Sequence, residues 1–182
     1  MRRMTAMAMA ALALAGAAAV AEAKQTEGKL GIGAALTPGG VSGLDVVRWF
    51  GGFGLNGTLG LTYASPERGD SQTGVALGIG GIFPLMRGET AELSIGGRLD
   101  LGYKSGAQDS ATQVSLEVPL RVEWWATDSI ALAFEVGAVV ELIPAEGRVL
   151  APLASGGGNG EGTGLSLGGT ALTGGAGFHF YF

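Results

Sequence analysis

Between residues 91 and 142 the chain alternates strictly, one residue in two, through three successive stretches. In the first, Leu93, Ile95, Leu99, Leu101 and Tyr103 oppose Glu92, Ser94, Arg98, Asp100 and Gly102. In the second, Val114, Leu116, Val118, Leu120, Val122 and Trp124 oppose Gln113, Ser115, Glu117, Pro119, Arg121 and Glu123. In the third, Ile130, Leu132, Phe134, Val136, Val140 and Leu142 oppose Ala131, Ala133, Glu135, Gly137, Val139 and Glu141. Successive side chains of a strand point to opposite faces, so a sustained period of two predicts strands with two chemically different sides. A helix would bring every third or fourth residue together, which this pattern does not do.

The same signal runs through the rest of the chain less cleanly. Val75, Leu77, Ile79 and Phe83 share a side, as do Leu55, Leu59, Leu61 and Tyr63, and as do Leu30, Ile32 and Leu36. The phase of "LDVVRWF" is ambiguous; it is read with Val47 and Trp49 on the apolar side and Arg48 on the polar side. The pattern predicts eight strands at about 29–36, 43–50, 53–63, 73–83, 91–103, 113–124, 130–142 and 168–182. A slip of phase in the last predicts a bulge near Gly168 and Gly169. Connections alternate between tight ones, at 51–52, 84–90 and 126–129, and a generally longer set, of which "TPGGVSG" is brief. Long loops therefore gather at one end of the sheet and tight turns at the other.

The N-terminal residues read as a segment to be removed. Arg2 and Arg3 precede a run of small apolar residues, and Ala21-Glu22-Ala23 offers a cleavage site, so residues 1–23 predict a secretory signal peptide and 24–182 the mature domain. Cleavage removes two arginines and one glutamate from 11 basic and 16 acidic residues, which leaves a net charge of −6. That charge, without a basic patch, argues against nucleic acid as a partner. The chain has 0 cysteines, so neither disulfides nor thiolate metal sites contribute.

Alternation does not say which face is buried. A soluble barrel would put the apolar side inside, a membrane barrel outside. Composition decides. Only 15% of residues are charged and 35 are glycine, and the non-apolar face is mostly Gly, Ala, Ser and Thr. A water-facing surface would be about 25–35% charged. Aromatics collect near strand ends, as membrane-interface girdles require: Tyr63 and Tyr103 before long loops, and Trp49, Phe53, Phe83, Trp124 and Trp125 near tight turns. The expected fold is all-β, an eight-stranded antiparallel up-and-down transmembrane β-barrel. Closure leaves no unpaired edge, and an interior of eight strands is one that side chains just fill.

The chain ends "GAGFHFYF", with Phe178, Phe180 and Phe182 in step. Signal peptide, even strand count and C-terminal aromatic strand together resemble the small eight-stranded outer-membrane β-barrels of Gram-negative bacteria, outer-membrane protein A-like but with no periplasmic domain after the barrel. The resemblance implies that Phe178, Phe180 and Phe182 form the signal read by the barrel-assembly machinery. It also implies a monomer among outer-membrane lipids.

Charged residues on the polar face predict a lumen network of Arg48, Glu92, Arg98, Asp100, Glu117, Arg121, Glu123, Glu135 and Glu141. Facing parity is compatible with Arg98 against Glu117 and Arg121 against Glu135. Such a network either plugs the barrel or lines a narrow cation-preferring pore. The single histidine, His179, is expected in the lumen near the periplasmic end. Lipid A deacylases among small barrels carry a serine two residues after the histidine; here that residue is Tyr181, so the motif fails. Catalysis needs a nucleophile, a base and an orienting group in reach, and no such set is visible. One histidine and scattered carboxylates lack metal-ligand spacing, and "SGGGNGEGTG" lacks the Lys-Ser/Thr of a phosphate loop. No cofactor is expected. The expected role is non-catalytic: envelope support, or contact with the surroundings through the loops. Leu150 and Leu153 are the notable apolar pair there, placed to cap the barrel.

Overall fold

We analysed a computed structural model, which describes residues 26–65, 71–106, 110–150, 161–167 and 174–182. The expected signal peptide, the expected bulge at 168–169 and Leu153 lie outside the described residues. The alternating stretches form β1 (Leu30–Leu36), β2 (Ser42–Phe50), β3 (Phe53–Ala64), β4 (Gln72–Arg87), β5 (Ala91–Ser105), β6 (Ser110–Trp125), β7 (Ile130–Ile143), β8 (Gly162–Leu167) and β9 (Gly174–Tyr181). Each of β1 to β7 pairs antiparallel with the next, and β9 closes the ring between β7 and β1. The result is a closed, eight-stranded, up-and-down antiparallel barrel.

The eighth position is shared by two segments. β9 pairs with the first half of β7, from Ile130↔Phe180 to Val136↔Gly174. β8 pairs with the second half, from Ala138↔Leu167 to Ile143↔Gly162. The described part of the closing strand, expected at 168–182, begins six residues earlier, at Gly162, and residues 168–173 between β8 and β9 lie outside the described residues. The fourth connection is also shorter than expected. A register shift between Pro84 and Met86 carries β4 on to Arg87, which pairs with Glu92. Proline lacks a donor, and the bulge there absorbs the lost ladder bond while returning Arg87 to the inner face.

Local chemistry accounts for the tight end. Gly51, at φ +62°, supplies the left-handed residue of the β2–β3 hairpin. In the β6–β7 turn the Thr127 hydroxyl accepts from the amides of Ser129 and Ile130 at 3.3 and 3.0 Å. Pro119 sits in the middle of β6, where a ladder proline is disfavoured. It is tolerated because its neighbours are glycines: a Cβ on Gly96 would lie 3.2 Å from the proline ring, and one on Gly137 would strike the Val118 carbonyl.

The two faces of this sheet are inverted relative to a water-soluble barrel. Leu99, Leu116, Val118, Phe134 and Leu142 are exposed on the outside, while Arg98, Arg121, Glu117, Glu123 and Glu141 are buried within. At the tight-turn end the interior is closed by an apolar floor of Val47, Trp49, Ile82, Trp125, Ala131 and Tyr181. This overturns one expected phase. Val47 and Trp49 point inwards with Asp45, and Arg48 points out. A slip of one residue flips every side chain of a strand. In β2 the usual polarity of the faces is no guide, because the floor needs large apolar groups inside.

Candidate functional site

The described lumen holds Asp45, Glu92, Asp100, Glu117, Glu123, Glu135 and Glu141, with the cations Arg87, Arg98, Arg121 and Arg148 and with His179. Two guanidinium groups organise its middle. Arg98 forks onto Glu135, Nη2 to Oε1 and Nη1 to Oε2, both at 3.0 Å, and its Nη1 also reaches Glu117 Oε2 at 3.1 Å. Such a bidentate fork is the strongest geometry open to an arginine–carboxylate pair. Asn56, with its amide turned to satisfy both neighbours, accepts from Arg98 Nη2 at 2.9 Å and donates to the Gly80 carbonyl at 3.2 Å. Arg121 lies nearer the floor. Its Nη2 donates to Glu123 at 3.2 Å, and its Nη1 lies 3.5 Å from Glu135. Glu135 thus bridges the two arginines.

His179 is fully enclosed and both ring nitrogens are engaged. Arg121 Nη2 approaches Nδ1 at 3.4 Å, and Nε2 lies 2.7 Å from Asp45 Oδ2. Arginine can only donate, so Nδ1 is the acceptor and Nε2 carries the proton given to Asp45. Thr58 donates to the other oxygen of Asp45 at 2.5 Å, and the Tyr181 hydroxyl donates to Glu123 at 2.7 Å. Near the floor, Arg87 pairs with Glu92 at 2.9 Å and lies over the Trp49 ring.

The opposite mouth is occupied by two connections that fold inwards. In the β1–β2 connection, the Thr37 hydroxyl and the Gly39 amide both donate to Glu117 Oε1 at 2.8 Å. A Cβ on Gly39 would strike the carboxylates of Glu117 and Asp100, so a larger residue there would have to displace this pair. After β7, the amides of Val149 and Leu150 donate to Gln113 Oε1 at 2.8 and 3.0 Å, and Arg148 pairs with Glu141 at 3.0 Å. Leu150 is buried against Gly102, where a Cβ would come 2.7 Å from its side chain. Neither oxygen of Asp100 receives an N–H or O–H, although the residue is wholly buried.

Of the residues read from the sequence, Glu92, Arg98, Asp100, Glu117, Arg121, Glu123, Glu135 and Glu141 lie together in the lumen, and Arg48 does not. Arg98 is in register with Glu117, and Arg121 with Glu135. Tyr63, Phe83, Tyr103, Trp124, Phe178, Phe180 and Phe182 are exposed on the outside; Trp49, grouped with them, is part of the floor. Trp125 likewise lies within. Sequence reasoning missed Asp45, Asn56, Thr58, Arg87, Thr37 and Tyr181. Asn56 was legible in principle, since it lies opposite Leu55, Leu59 and Leu61 on β3, and Asp45 was legible once the phase of β2 is known. Comparisons with protein families, with characterised proteins and with solved structures return no match to this chain.

Proposed function

We propose that this chain is an integral outer-membrane barrel protein with a non-catalytic role, supporting the envelope or contacting the surroundings through its loops. The observation that carries the reading is the charge census of the two faces. Among the described strand residues, Arg48 is the only charged side chain on the outward face. Leucine, valine, isoleucine and aromatic side chains dominate that face, with small residues between them, which is the surface hydrocarbon accepts and water does not. The small-barrel resemblance supplies the remainder: export with loss of residues 1–23, recognition of the Phe178–Phe182 end by the barrel-assembly machinery, and a monomer in outer-membrane lipid. The resemblance puts the tight turns on the periplasmic side and the long connections outside.

The interior supports a plug rather than a pore. Paired side chains fill the middle, an apolar floor closes one end, and two connections enter the other. An active site has no support here, since both nitrogens of His179 are engaged with Asp45 and Arg121 and the ring is wholly enclosed.

Reconstitution tests the reading. The mature chain should fold only in detergent or lipid vesicles, migrate as a heat-modifiable band and remain silent in planar bilayers. A chain that is folded and monomeric in plain buffer would overturn the membrane assignment. Steady cation-selective conductance would replace the plug by a channel. A change in the mass of lipid A on expression would reinstate an enzyme.

A further inference from the structure

From the middle of the barrel to its mouth, the inner faces of β3 and β4 are lined mostly by small residues, yet the space this creates is used in two different ways. In the middle of the barrel it is filled: a Cβ on Gly78 would meet Asp100 at 2.7 Å and the Arg98 stem at 3.2 Å, and one on Gly80 would meet Asn56 at 2.9 Å. Towards the mouth, Gly60, Gly74 and Ala76 border a recess of about 270 Å³ that no described side chain occupies. A Cβ on Gly74 would meet only Thr62 and a carbonyl, at ordinary contact distances of 3.6 and 3.8 Å. Leu150, seated on Gly102, forms part of the recess wall, and Gly40 of the inward-folded β1–β2 connection forms another part.

The chemistry of its lining is specific. Lys104 is the one charged side chain there, it is exposed, and it has no ion-pair partner among the described residues. No carboxylate of the described residues borders the recess; Asp100 lies a step below Gly102 on β5, and Glu141 is paired to Arg148. Ser42, Thr62 and Gln72 offer two hydroxyls and an amide, while Val149 and Leu150 offer an apolar side. Drug-sized ligands take pockets of about 300–1,000 Å³. This one is smaller and suits a single ring.

From these features we propose that the mouth recess binds an acidic monosaccharide, a single sugar ring bearing a carboxylate or phosphate. Lys104 takes the anionic group, Thr62, Gln72 and Ser42 take the ring hydroxyls, and the C–H face of the sugar lies on Leu150 and Val149. This names a ligand class for the surface contact proposed above and rests on that reading only for the side from which the ligand arrives. The same chemistry is carried by free acidic sugars and by the acidic sugars of lipopolysaccharide.

The test is a titration of the isotope-labelled mature chain in zwitterionic micelles with glucuronate, glucose 6-phosphate and glucose, following the amide signals of Thr62, Gln72 and Lys104. The charged sugars should shift these signals at millimolar concentrations, at least tenfold more tightly than glucose. Lys104→Gln should remove that preference, and Gly74→Leu, which fills the recess without backbone strain, should abolish the response while the heat-modifiable band persists. Absence of any response, or a response that survives Gly74→Leu, would overturn the proposal. A second arm adds lipopolysaccharide in bicelles; a response at the same residues there assigns the membrane as the source, and a response to the free sugars alone assigns a solute. The titration does not depend on membrane insertion, so a chain folded without detergent would remove the outer-membrane reading while leaving the recess to be judged on its own shifts.

Discussion

The wall formed by β4 to β7 and the seam formed by β9, β1 and β2 are built differently. Strands of the first are 16, 15, 16 and 14 residues long; those of the second are 8, 7 and 9. At about 3.3 Å per residue and a tilt of about 40°, β4 spans about 40 Å along the barrel axis and β1 about 18 Å. The long wall is held by its own ladders. Among the described residues the seam has fewer ladder pairs, and it is fastened from inside. β6 supplies the anchors: Glu123 takes the Tyr181 hydroxyl, Arg121 meets His179, and Glu117 holds Thr37 and Gly39. His179 in turn ties β9 to Asp45 on β2. The lumen charges therefore act as cross-braces, and they matter most where the wall is short.

The largest expected effect follows from removing the brace nearest the seam. Arg121→Ala takes the arginine from Glu123 and one of two from Glu135 in a closed interior and should cost about 3–5 kcal/mol. Urea unfolding in micelles, followed by tryptophan fluorescence, reads it; an unchanged midpoint would remove the bracing role. Next, Asp45→Ala leaves the His179 N–H without an acceptor and should cost about 1–3 kcal/mol. Its signature is local: amide exchange should quicken in β1, β2 and β9 while β5 and β6 keep their protection. Uniform acceleration would mean that seam and wall unfold as one unit. A smaller effect of opposite sign is expected for Asp100→Asn. The amide donates to Glu117 where two carboxylates now face each other, and the barrel should gain about 1 kcal/mol. Smallest of all, Arg48→Leu should leave the unfolding midpoint where it is, because that side chain braces nothing. A marked loss there would place Arg48 back in the network.

Legibility follows the same division. On β5, β6 and β7 the alternation runs over a dozen or more residues, so an isolated exception such as Pro119 cannot disturb the phase, and Arg98, Glu117, Arg121 and Glu135 could be placed on one face with their partners. On β2 only a few residues carry the signal, and two adjacent valines followed by Arg48 and Trp49 allow either phase. The rule that charge lies within and bulk apolar groups without holds along the wall and fails at the floor, where Trp49 and Trp125 close the end. Leu150 was visible as an apolar interruption in a polar connection, but nothing local shows that its amide and that of Val149 meet Gln113, 37 and 36 residues earlier.

What the sequence determined by itself is what a period of two and a biased composition can carry: strands, their approximate number, the inversion of faces and the aromatic close of the chain. These are local or summed properties, present before any strand meets another. Only the tertiary structure decided the phase of β2, the register of the closing segments on β7, the entry of two connections into the mouth, and the partner of His179. The residues His179 and Asp45 are 134 positions apart, and their meeting exists only once the ring is closed in one register. Closure couples every strand to every other, and no window of the chain holds that information alone.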